Sequence, residues 1–370
     1  MADAGGGSVV VYRHLKRLKQ EGFDIVIVVM RKGLDRYDDE FQYYFLEKKW
    51  WYPFIRKNTP YLTDIAALTY LSALSKMINF DAKKDTTLGL LGEFPNLLLL
   101  KLFEKKGVPY CLFFHDDYVF NQYWHENIFS LKQINSILLK SSFIFSVSQQ
   151  MVNLLKTRGI NQSNVLYPIA ESHSGPVKKT NGVNQTHLKF GYAGTLWPNH
   201  EDILNNICTA MMQIDAELHC ITGEVNFRLN HPKAAVIKNW LSTREELFEY
   251  LYETIDVLIV FYSFDPELEP RMQSSFPSKF IEYAQLEIPI AIIAPAFSTL
   301  GTWALKNNWM SYIDSDAPLD IAAKLNNFKD MDYWQKCQLQ VIEYKNTTFN
   351  PDHIHHIFKT TIMNLAPAIS

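Results

Sequence analysis

The segment from Ser274 to Ala294, SSFPSKFIEYAQLEIPIAIIA, constrains the fold of this chain more than any other stretch. Three apolar residues in its first half share one face of a helix: Phe280, Ile281 and Ala284. Pro277 suits the first turn of that helix, where a missing N–H group costs little. After Pro289, the run IAIIA has the short, β-branched pattern of a strand buried in a parallel sheet. The segment therefore predicts a helix, a tight turn and a buried strand, which is one unit of an α/β fold.

The same segment carries two charged side chains that suit the recognition of a phosphate and a sugar. Lys279 lies in the first turn of the predicted helix, and Glu282 lies about one turn later. A helix N-terminus presents free N–H groups and a positive dipole end, so a lysine beside it favours a phosphate. A carboxylate one turn on accepts hydrogen bonds from a ribose diol. The spacing fits an exposed ion pair on an ordinary helix equally well, so both interpretations stay open at this point.

The size and composition of the chain limit its function classes. The 370 residues are enough for two domains of ordinary size. A formal net charge of −3 gives no general attraction to nucleic acid, so we expect no nucleic-acid partner. The four cysteines contain no CxxC pair, which favours a reducing compartment over a zinc site or a disulfide framework. Because no apolar run of about 18 residues is present, we expect a cytoplasmic protein, with the inner face of the membrane as an alternative location.

Strand and helix patterns alternate along the chain, which predicts two doubly wound α/β domains facing across a cleft. A stretch rich in Ser, Gly, Asn, Lys and Thr without apolar periodicity marks the boundary between them. It divides the chain into an N-terminal domain, a linker, a second domain and a helical tail: residues 1–170, 171–187, 188–345 and 346–370.

Polar residues follow two of the predicted strands. His115 and Asp116 come directly after the apolar segment PYCLFF, and open α/β sheets bind ligands at the carboxyl ends of their strands. Asp116 or Asp117 is placed to orient the histidine ring, while a purely structural histidine is the alternative. A Gly194-Thr195 turn follows the strand pattern LKFGYA and precedes a helix, an arrangement that lets a ligand approach the backbone.

A second glycine-rich turn, which includes Gly6 and Gly7, opens the first predicted helix. Such a turn normally follows a buried strand, and the residues before it do not form one. We therefore expect the sequence to start inside a longer chain, with a first domain that lacks its central strand as the alternative.

The segment from Lys48 to Tyr61 mixes basic residues with tryptophan, tyrosine and phenylalanine. A surface loop folded on its own domain is the simplest interpretation. Peripheral contact with a membrane is an alternative, because aromatic rings sit among headgroups and cations meet anionic lipid there. A loop that binds an acceptor substrate is a further alternative.

Three other patterns have structural interpretations. Ser242 followed by Glu245 is a capping box, which predicts the start of a helix. The triplet Asp314–Asp316 resembles a metal-binding pattern, but the proline two residues later predicts a helix cap. His353 and His356 share a helix face without a further ligand, so we expect no metal site.

The pattern Ser-x-Pro-x-Lys-x-x-Glu-Tyr followed by Ile-Pro-Ile-Ala resembles the donor-site helix of retaining glycosyltransferases of the GT-B fold, in glycosyltransferase family 4. The likeness is clearest from Lys189 to Ala294. It implies two Rossmann-like domains and a C-terminal helix that crosses back to the first domain. It also implies transfer of a sugar from a nucleotide-diphosphate-sugar donor to a saccharide or lipid-linked acceptor, with retention, without a metal or other cofactor, in polysaccharide or glycolipid assembly. The alternatives are a sugar-nucleotide epimerase and a non-catalytic protein that binds nucleotide sugars.

The resemblance assigns roles to individual residues. Lys279 would hold the donor diphosphate and Glu282 the ribose, while His115 would contact the donor sugar across the cleft. The implied catalytic set is His115, Asp116 and Lys279. The implied donor-binding set is longer: Gly6, Gly7, Gly194, Thr195, Gly223, Asn239, Trp240, Arg271, Ser275, Phe276, Pro277, Lys279 and Glu282. For Trp240, a side chain packed into the core is the alternative.

The chain departs from the family pattern in its acidic residues. The family commonly has a second glutamate eight positions before Glu282, where this chain has Ser274. Glu267 and Glu269 are the candidates to replace it. In the turn before Pro289, Glu287 stands in place of a common glycine. We expect Glu287 to end the helix with a positive φ, at a cost of about 1 kcal/mol.

The chain also lacks the arginine and lysine that commonly follow the glycine turn of the second domain. The residues from Leu196 to His200 include neither. The phosphate charge would therefore fall to Lys279, with Arg271 as a weaker candidate.

Overall fold

The computed structural model describes residues 6–30, 38–46, 72, 85–91, 99–100, 103–104, 107–115, 131–171, 186–223, 227, 229–231 and 234–365. The chain divides into two units, of which the first comprises Met1–Ile169 with Ile354–Ser370 and the second comprises Ala170–His353. Parallel strands connected by helices form both units, which confirms the predicted α/β class.

The first unit contains two parallel sheets among its described residues. Strand β1 (Val26–Met30) pairs with β2 (Gln42–Leu46). A second sheet has the order β3-β4-β5-β6, with strands at Thr87–Leu91, Tyr110–Phe114, Phe143–Ser146 and Ser163–Val165. Every residue of β4 is buried, as expected for an inner strand of an α/β sheet.

The helices described in the first unit follow their sequence signals. They include α1 (Gly6–Gln20), α2 (Leu131–Lys140) and α3 (Gln149–Thr157). Helix α1 ends where Gly22 adopts a φ of +90°. The N–H of Phe23 donates to the carbonyl of Leu18, and that of Gly22 donates to the carbonyl of Lys19, both at 3.0 Å. These two bonds form a Schellman motif, which requires glycine because of its positive φ.

The second unit is built on one six-stranded parallel sheet with the order β12-β11-β10-β7-β8-β9. In chain order from β7 to β12 the strands are Lys189–Ala193, Glu217–Ile221, Ala235–Lys238, Val257–Phe261, Ile290–Ile293 and Tyr312–Ile313. The strand order reverses between β7 and β10, so the sheet is doubly wound. The carboxyl ends of these two strands form the switch point, where open α/β sheets bind ligands.

Eight further helices are described along the rest of the chain. From α4 to α11 they are Glu201–Gln213, Arg244–Thr254, Glu269–Met272, Ser278–Ala284, Thr299–Lys306, Pro318–Asn326, Met331–Asn346 and Pro351–Leu365. Most of α11 belongs to the first unit, because that unit includes the residues from Ile354 onward. None of the described helices has the length and apolar content needed to cross a lipid bilayer.

The helix, turn and strand predicted from the central segment are present. Helix α7 begins at Ser278, although Pro277 is its N-cap residue and not a residue of its first turn. Glu287 has a φ of +56°, which confirms the predicted positive φ. Strand β11 begins at Ile290, and all four of its residues are buried.

Two predicted caps are wrong in detail. The capping box before α5 uses Thr243 and Glu246, one residue later than the predicted pair Ser242 and Glu245. The local sequence fits both registers, and the extended backbone of Thr243 lets its side chain accept from the N–H of Glu246 at 3.1 Å. The N-cap of α9 is Ala317, because Pro318 is the first residue of the helix, and the methyl group of alanine cannot accept a hydrogen bond. From the predicted triplet, Asp314 accepts from the N–H of Ala296 at 2.9 Å and Ser315 accepts from the N–H of Ala317 at 3.1 Å.

Candidate functional site

Lys279 lies in the first turn of α7, next to the carboxyl end of β7. Its Nζ atom donates a hydrogen bond to the hydroxyl of Tyr192 and lies 4.1 Å from the centroid of the Tyr192 ring. Burial lowers the pKa of the ammonium group to about 8, although the carboxylate of Glu282 opposes this shift. An ammonium group that has lost part of its hydration is stabilised by an anion, so this position favours an anionic ligand.

Gly194 provides the space that Lys279 occupies. Its φ of +151° belongs to the region that favours glycine. A Cβ atom at Gly194 would collide with Nζ and Cε of Lys279. The N–H of Gly194 donates to the carbonyl of Ile221 at 2.9 Å, which fixes the turn against β8. The structure therefore brings together the glycine turn and the lysine that the sequence predicted separately.

Two tyrosines that the sequence did not predict as site residues hold this arrangement. The hydroxyl of Tyr283 donates to the carbonyl of Ala193 at 3.0 Å and accepts from the N–H of Ala193 at 2.6 Å. The hydroxyl of Tyr192 donates to the carbonyl of Thr195 at 3.2 Å while it accepts from Lys279. Burial raises the pKa of both phenols, so both stay protonated at neutral pH. The available sequence signals were that Tyr283 follows the motif glutamate and that Tyr192 precedes the glycine turn.

Glu282 pairs with Arg244, the first residue of α5. The Nη2 atom of Arg244 lies 3.7 Å from Oε1 of Glu282, and Nη1 pairs with Glu171. The guanidinium carbon also lies 4.5 Å from the centroid of the Phe248 ring. An exposed ion pair between Lys279 and Glu282 on an ordinary helix is therefore not the arrangement observed. The sequence did not predict Arg244, because it lies 38 positions before Glu282 and follows no motif that points to it.

The candidates for the nucleotide base lie at the ends of β8 and β9. The N–H of Thr222 donates to the carbonyl of Lys238 at 2.9 Å, which holds the two strand ends together. A Cβ atom at Gly223 would lie 3.0 Å from Nε1 of Trp240. Trp240 is 49% exposed and Asn239 is exposed, so the alternative of a tryptophan packed into the core is wrong.

The loop that leads into α7 is anchored through its backbone. The carbonyl of Ser275 accepts hydrogen bonds from the hydroxyls of Tyr262, at 3.0 Å, and Thr299. The ring of Phe276 is buried, with its centroid 6.1 Å from those of Phe280 and Trp303. The side chain of Phe276 thus belongs to the core, and any contact of this residue with a donor would involve its backbone.

The remaining polar candidates lie on the short segment before that loop. Arg271 is exposed at the end of α6. Glu269 accepts a hydrogen bond from Gln273 at 2.6 Å, and Glu267 is exposed. Ser274 is buried. The described residues contain no group of three or more His, Cys, Asp or Glu side chains placed to hold a metal ion.

The candidates in the first unit are His115, Gly6 and Gly7. His115 follows β4 directly, is 9% exposed, and stacks against Phe113 with ring centroids 6.2 Å apart. Gly6 and Gly7 are the first residues of α1. Asp116, Asp117 and the segment from Lys48 to Tyr61 lie outside the described residues.

Comparison with known proteins gives different results at the sequence and structure levels. No protein-family model and no curated protein matches this sequence. A glycosyltransferase from Rickettsia africae matches with a TM-score of 0.70 at 14% identity, covering 100% of this chain and 97% of that chain. Anabaena HepE, solved in complex with UDP, matches with a TM-score of 0.69 at 10% identity, covering 98% of each chain. A sucrose-phosphate synthase from Thermosynechococcus elongatus matches with a TM-score of 0.67 at 12% identity, covering 98% and 94%.

The chain has the GT-B fold. This fold consists of two Rossmann-like domains, so the fold predicted from the sequence is confirmed. In this GT-B chain, the cluster of Lys279, Gly194, Tyr192 and Tyr283 lies at the switch point of the six-stranded sheet in the second unit.

Proposed function

We propose that this protein is a glycosyltransferase, which binds a nucleoside diphosphate sugar in its second unit and transfers the sugar to an acceptor hydroxyl. The observation that carries the proposal is the partly buried ammonium group of Lys279, held by Tyr192 beside Gly194 at the switch point of a GT-B sheet. A diphosphate is the anion that suits this position best, because its oxygens reach both the ammonium group and a turn that lacks a Cβ atom.

Each neighbouring group has a role in this proposal. The carboxylate of Glu282, held by Arg244, accepts hydrogen bonds from the ribose. Trp240 and Asn239, which directly follow β9, contact the base. The negative charge on the diphosphate increases as the bond to the sugar breaks, so Lys279 stabilises the transition state more than the bound donor.

The proposal extends to the stereochemistry and to the acceptor. Lys279 neutralises the leaving diphosphate, a role that a metal ion fills in other enzymes, so we propose a transfer without a metal. The resemblance to family 4 supports retention of configuration through attack on the same face, assisted by the departing phosphate. His115, with Asp116 orienting its ring, would contact the donor sugar. The acceptor would be a saccharide or a lipid-linked sugar in polysaccharide or glycolipid assembly, on the cytoplasmic side of the membrane.

Binding of a nucleotide sugar without turnover is a second candidate function. Ser274 favours it, because a serine stands where the family commonly has a glutamate. Its hydroxyl lies 3.4 Å and 3.3 Å from the carbonyls of Pro270 and Arg271, so it is directed toward its own chain.

An assay of nucleoside diphosphate release tests the proposal. The protein is incubated with UDP-glucose, UDP-N-acetylglucosamine or GDP-mannose, with and without a panel of oligosaccharide acceptors. We expect release that depends on the acceptor, and a loss of about 100-fold or more in Lys279→Met, the range seen when one charge-stabilising group is removed. Lys306→Met, at an exposed position at the end of α8, is the matched control and should keep wild-type turnover. Wild-type turnover in Lys279→Met would overturn the role of the lysine, and nucleotide binding without release would favour the second candidate.

A further inference from the structure

We propose that His200 is a further phosphate-binding residue of this site, and that it takes up a proton when the donor binds. The inference rests on the proposed function, because it requires a nucleoside diphosphate sugar beside Lys279.

The position of His200 links it to the lysine cluster. It ends the short turn Pro198–His200 and directly precedes α4, in the connection that leaves β7 through Gly194. Its ring lies perpendicular to that of Phe261, with an interplanar angle of 81° and centroids 5.5 Å apart. The ring of Phe261 lies 4.7 Å from that of Tyr192, which contacts the ammonium group of Lys279. Ring contacts through Phe261 and Tyr192 thus link His200 to the ammonium group of Lys279.

The hydrogen bonding of the His200 ring leaves a donor for a ligand. The N–H of Trp197 donates to Nδ1 of His200 at 3.3 Å. The neutral ring therefore carries its proton on Nε2, which is a donor in both the neutral and the charged form. Protonation of Nδ1 gives up one weak hydrogen bond and adds a full positive charge.

Burial and the charges around His200 keep its ring neutral in the free protein. Lys279 on α7 and Arg271 on α6 repel an imidazolium, and together with burial, which has the largest effect, they lower the pKa of His200 to about 4. The positive end of the 13-residue helix α4 acts in the same direction, whereas Glu201 and Asp202 in its first turn oppose it.

A bound diphosphate reverses this balance. Its negative charge beside Lys279 offsets the repulsion of the imidazolium, so it raises the pKa of His200 toward the ordinary histidine value of about 6.5 or above. A group whose pKa rises on binding makes the ligand bind more tightly as the pH falls, until the pH reaches the pKa of the free protein. Donor affinity should therefore increase as the pH falls from neutral toward about 4. Lys279 has a pKa of about 8, so its loss of charge weakens binding in a separate, alkaline range.

Isothermal titration calorimetry at several pH values tests the inference. The probe is whichever of UDP-glucose, UDP-N-acetylglucosamine and GDP-mannose binds most tightly, because their diphosphate groups do not titrate near neutral pH. Between about pH 7.5 and 5.5 we expect wild-type affinity to rise at least about threefold, with proton uptake measured in buffers of different ionisation enthalpy. His200→Gln should lose this acidic dependence and keep the alkaline one. His200→Lys, with a permanent charge, should bind tightly across the acidic and neutral range.

The outcomes separate the inference from the proposed function. If wild-type affinity does not change in the acidic range, or if His200→Gln keeps the wild-type dependence, the inference is overturned and the proposal for Lys279 stands. If none of the three nucleotide sugars binds at any pH, the proposed function is overturned and the inference with it.

Discussion

The phenolic oxygen of Tyr283 bonds both backbone groups of Ala193, accepting from its N–H at 2.6 Å and donating to its carbonyl at 3.0 Å. Tyr283 belongs to α7 and Ala193 is the last residue of β7. One buried hydroxyl therefore joins the helix that carries Lys279 to the strand that leads into Gly194. The geometry of the proposed phosphate site depends on this connection.

Removal of that hydroxyl should loosen the site. In Tyr283→Phe, both backbone groups of Ala193 lose a buried hydrogen bond, so we expect the free energy of unfolding to fall by about 1 to 3 kcal/mol. Nucleotide-sugar affinity should fall as well, because the glycine turn is no longer held against α7. Urea unfolding and calorimetric titration measure the two effects.

Tyr312→Phe is the matched control for Tyr283→Phe. The hydroxyl of Tyr312 donates to the carbonyl of Ala294 at 3.0 Å, on the far side of β11 from the glycine turn. This variant should lose stability but not affinity. Equal affinities of Tyr283→Phe and the wild type would show that the site does not need the connection.

Substitution of Gly194 tests whether Lys279 needs the space beside this glycine, and a control variant measures the effect of backbone strain alone. Gly194→Ala should destabilise the fold by about 1 kcal/mol because the backbone at this position has a positive φ. It should also displace the side chain of Lys279, because the new Cβ atom would collide with it. We expect nucleotide-sugar affinity to fall at least about tenfold, equivalent to 1.4 kcal/mol.

Gly159→Ala is the control for strain alone. Gly159 has a φ of +80°, and no atom of the described residues lies within 4 Å of a Cβ placed there. Gly159→Ala should lose a similar amount of stability, measured by thermal unfolding, and should bind nucleotide sugars with wild-type affinity. Equal affinities in the two variants would contradict the proposed contact between the turn and the lysine.

Glu287 combines a strained backbone with a favourable ion pair. It has a φ of +56°, and its carboxylate lies 2.6 Å from Nζ of Lys345 in a half-buried pair. Glu287→Ala loses the pair and keeps the strain, whereas Glu287→Gly loses the pair and relieves the strain. Urea unfolding should therefore show Glu287→Gly to be more stable than Glu287→Ala by about 1 kcal/mol. Equal stability of the two variants would show that the turn is not strained.

A buried histidine pair should make the fold sensitive to acid. The Nδ1 atoms of His14 and His355 lie 3.1 Å apart, and burial lowers the pKa of both rings. Arg17 and Lys359 lower the pKa of His355 further, while Glu21 opposes this effect. The unfolded chain binds more protons than the folded chain once the pH falls below about 6.5, so stability is present above that pH and is lost below it.

His14→Phe tests this acid sensitivity. Phenylalanine keeps the stacking against Phe358, whose ring centroid lies 4.1 Å from that of His14, and it does not titrate. Urea unfolding between about pH 8 and 5 should show a flatter dependence than the wild type. His353→Gln, at an exposed position on α11, the helix that carries His355, should keep the wild-type pH dependence of stability. An unchanged slope in His14→Phe would contradict the assignment.

The parts of the fold that the sequence predicted are those that local patterns encode. The apolar spacing around Phe280 and the β-branched run after Pro289 fixed α7 and β11, because periodicity and turn residues act within a few positions. The register of the capping box was missed because adjacent residues offer two equivalent patterns. The connection between Tyr283 and Ala193 joins residues 90 positions apart, and no local pattern records such a contact.

The candidate site divides in the same way. Lys279 and Gly194 were identified because each belongs to a recognisable helix start or glycine turn. Arg244 and His200 were not, because their relation to the site depends on charges that only the packing of distant segments brings together. Short motifs thus pointed to the candidate site, and the tertiary structure was needed to show which other side chains contact its residues.

Direct titration of UDP into the wild type, Lys279→Met and the control Lys306→Met tests the central claim that Lys279 binds the diphosphate. We predict that the wild type and Lys306→Met bind UDP equally well, and that Lys279→Met binds it at least about tenfold more weakly, a difference of 1.4 kcal/mol. Equal affinity of Lys279→Met and the wild type for UDP would contradict the claim.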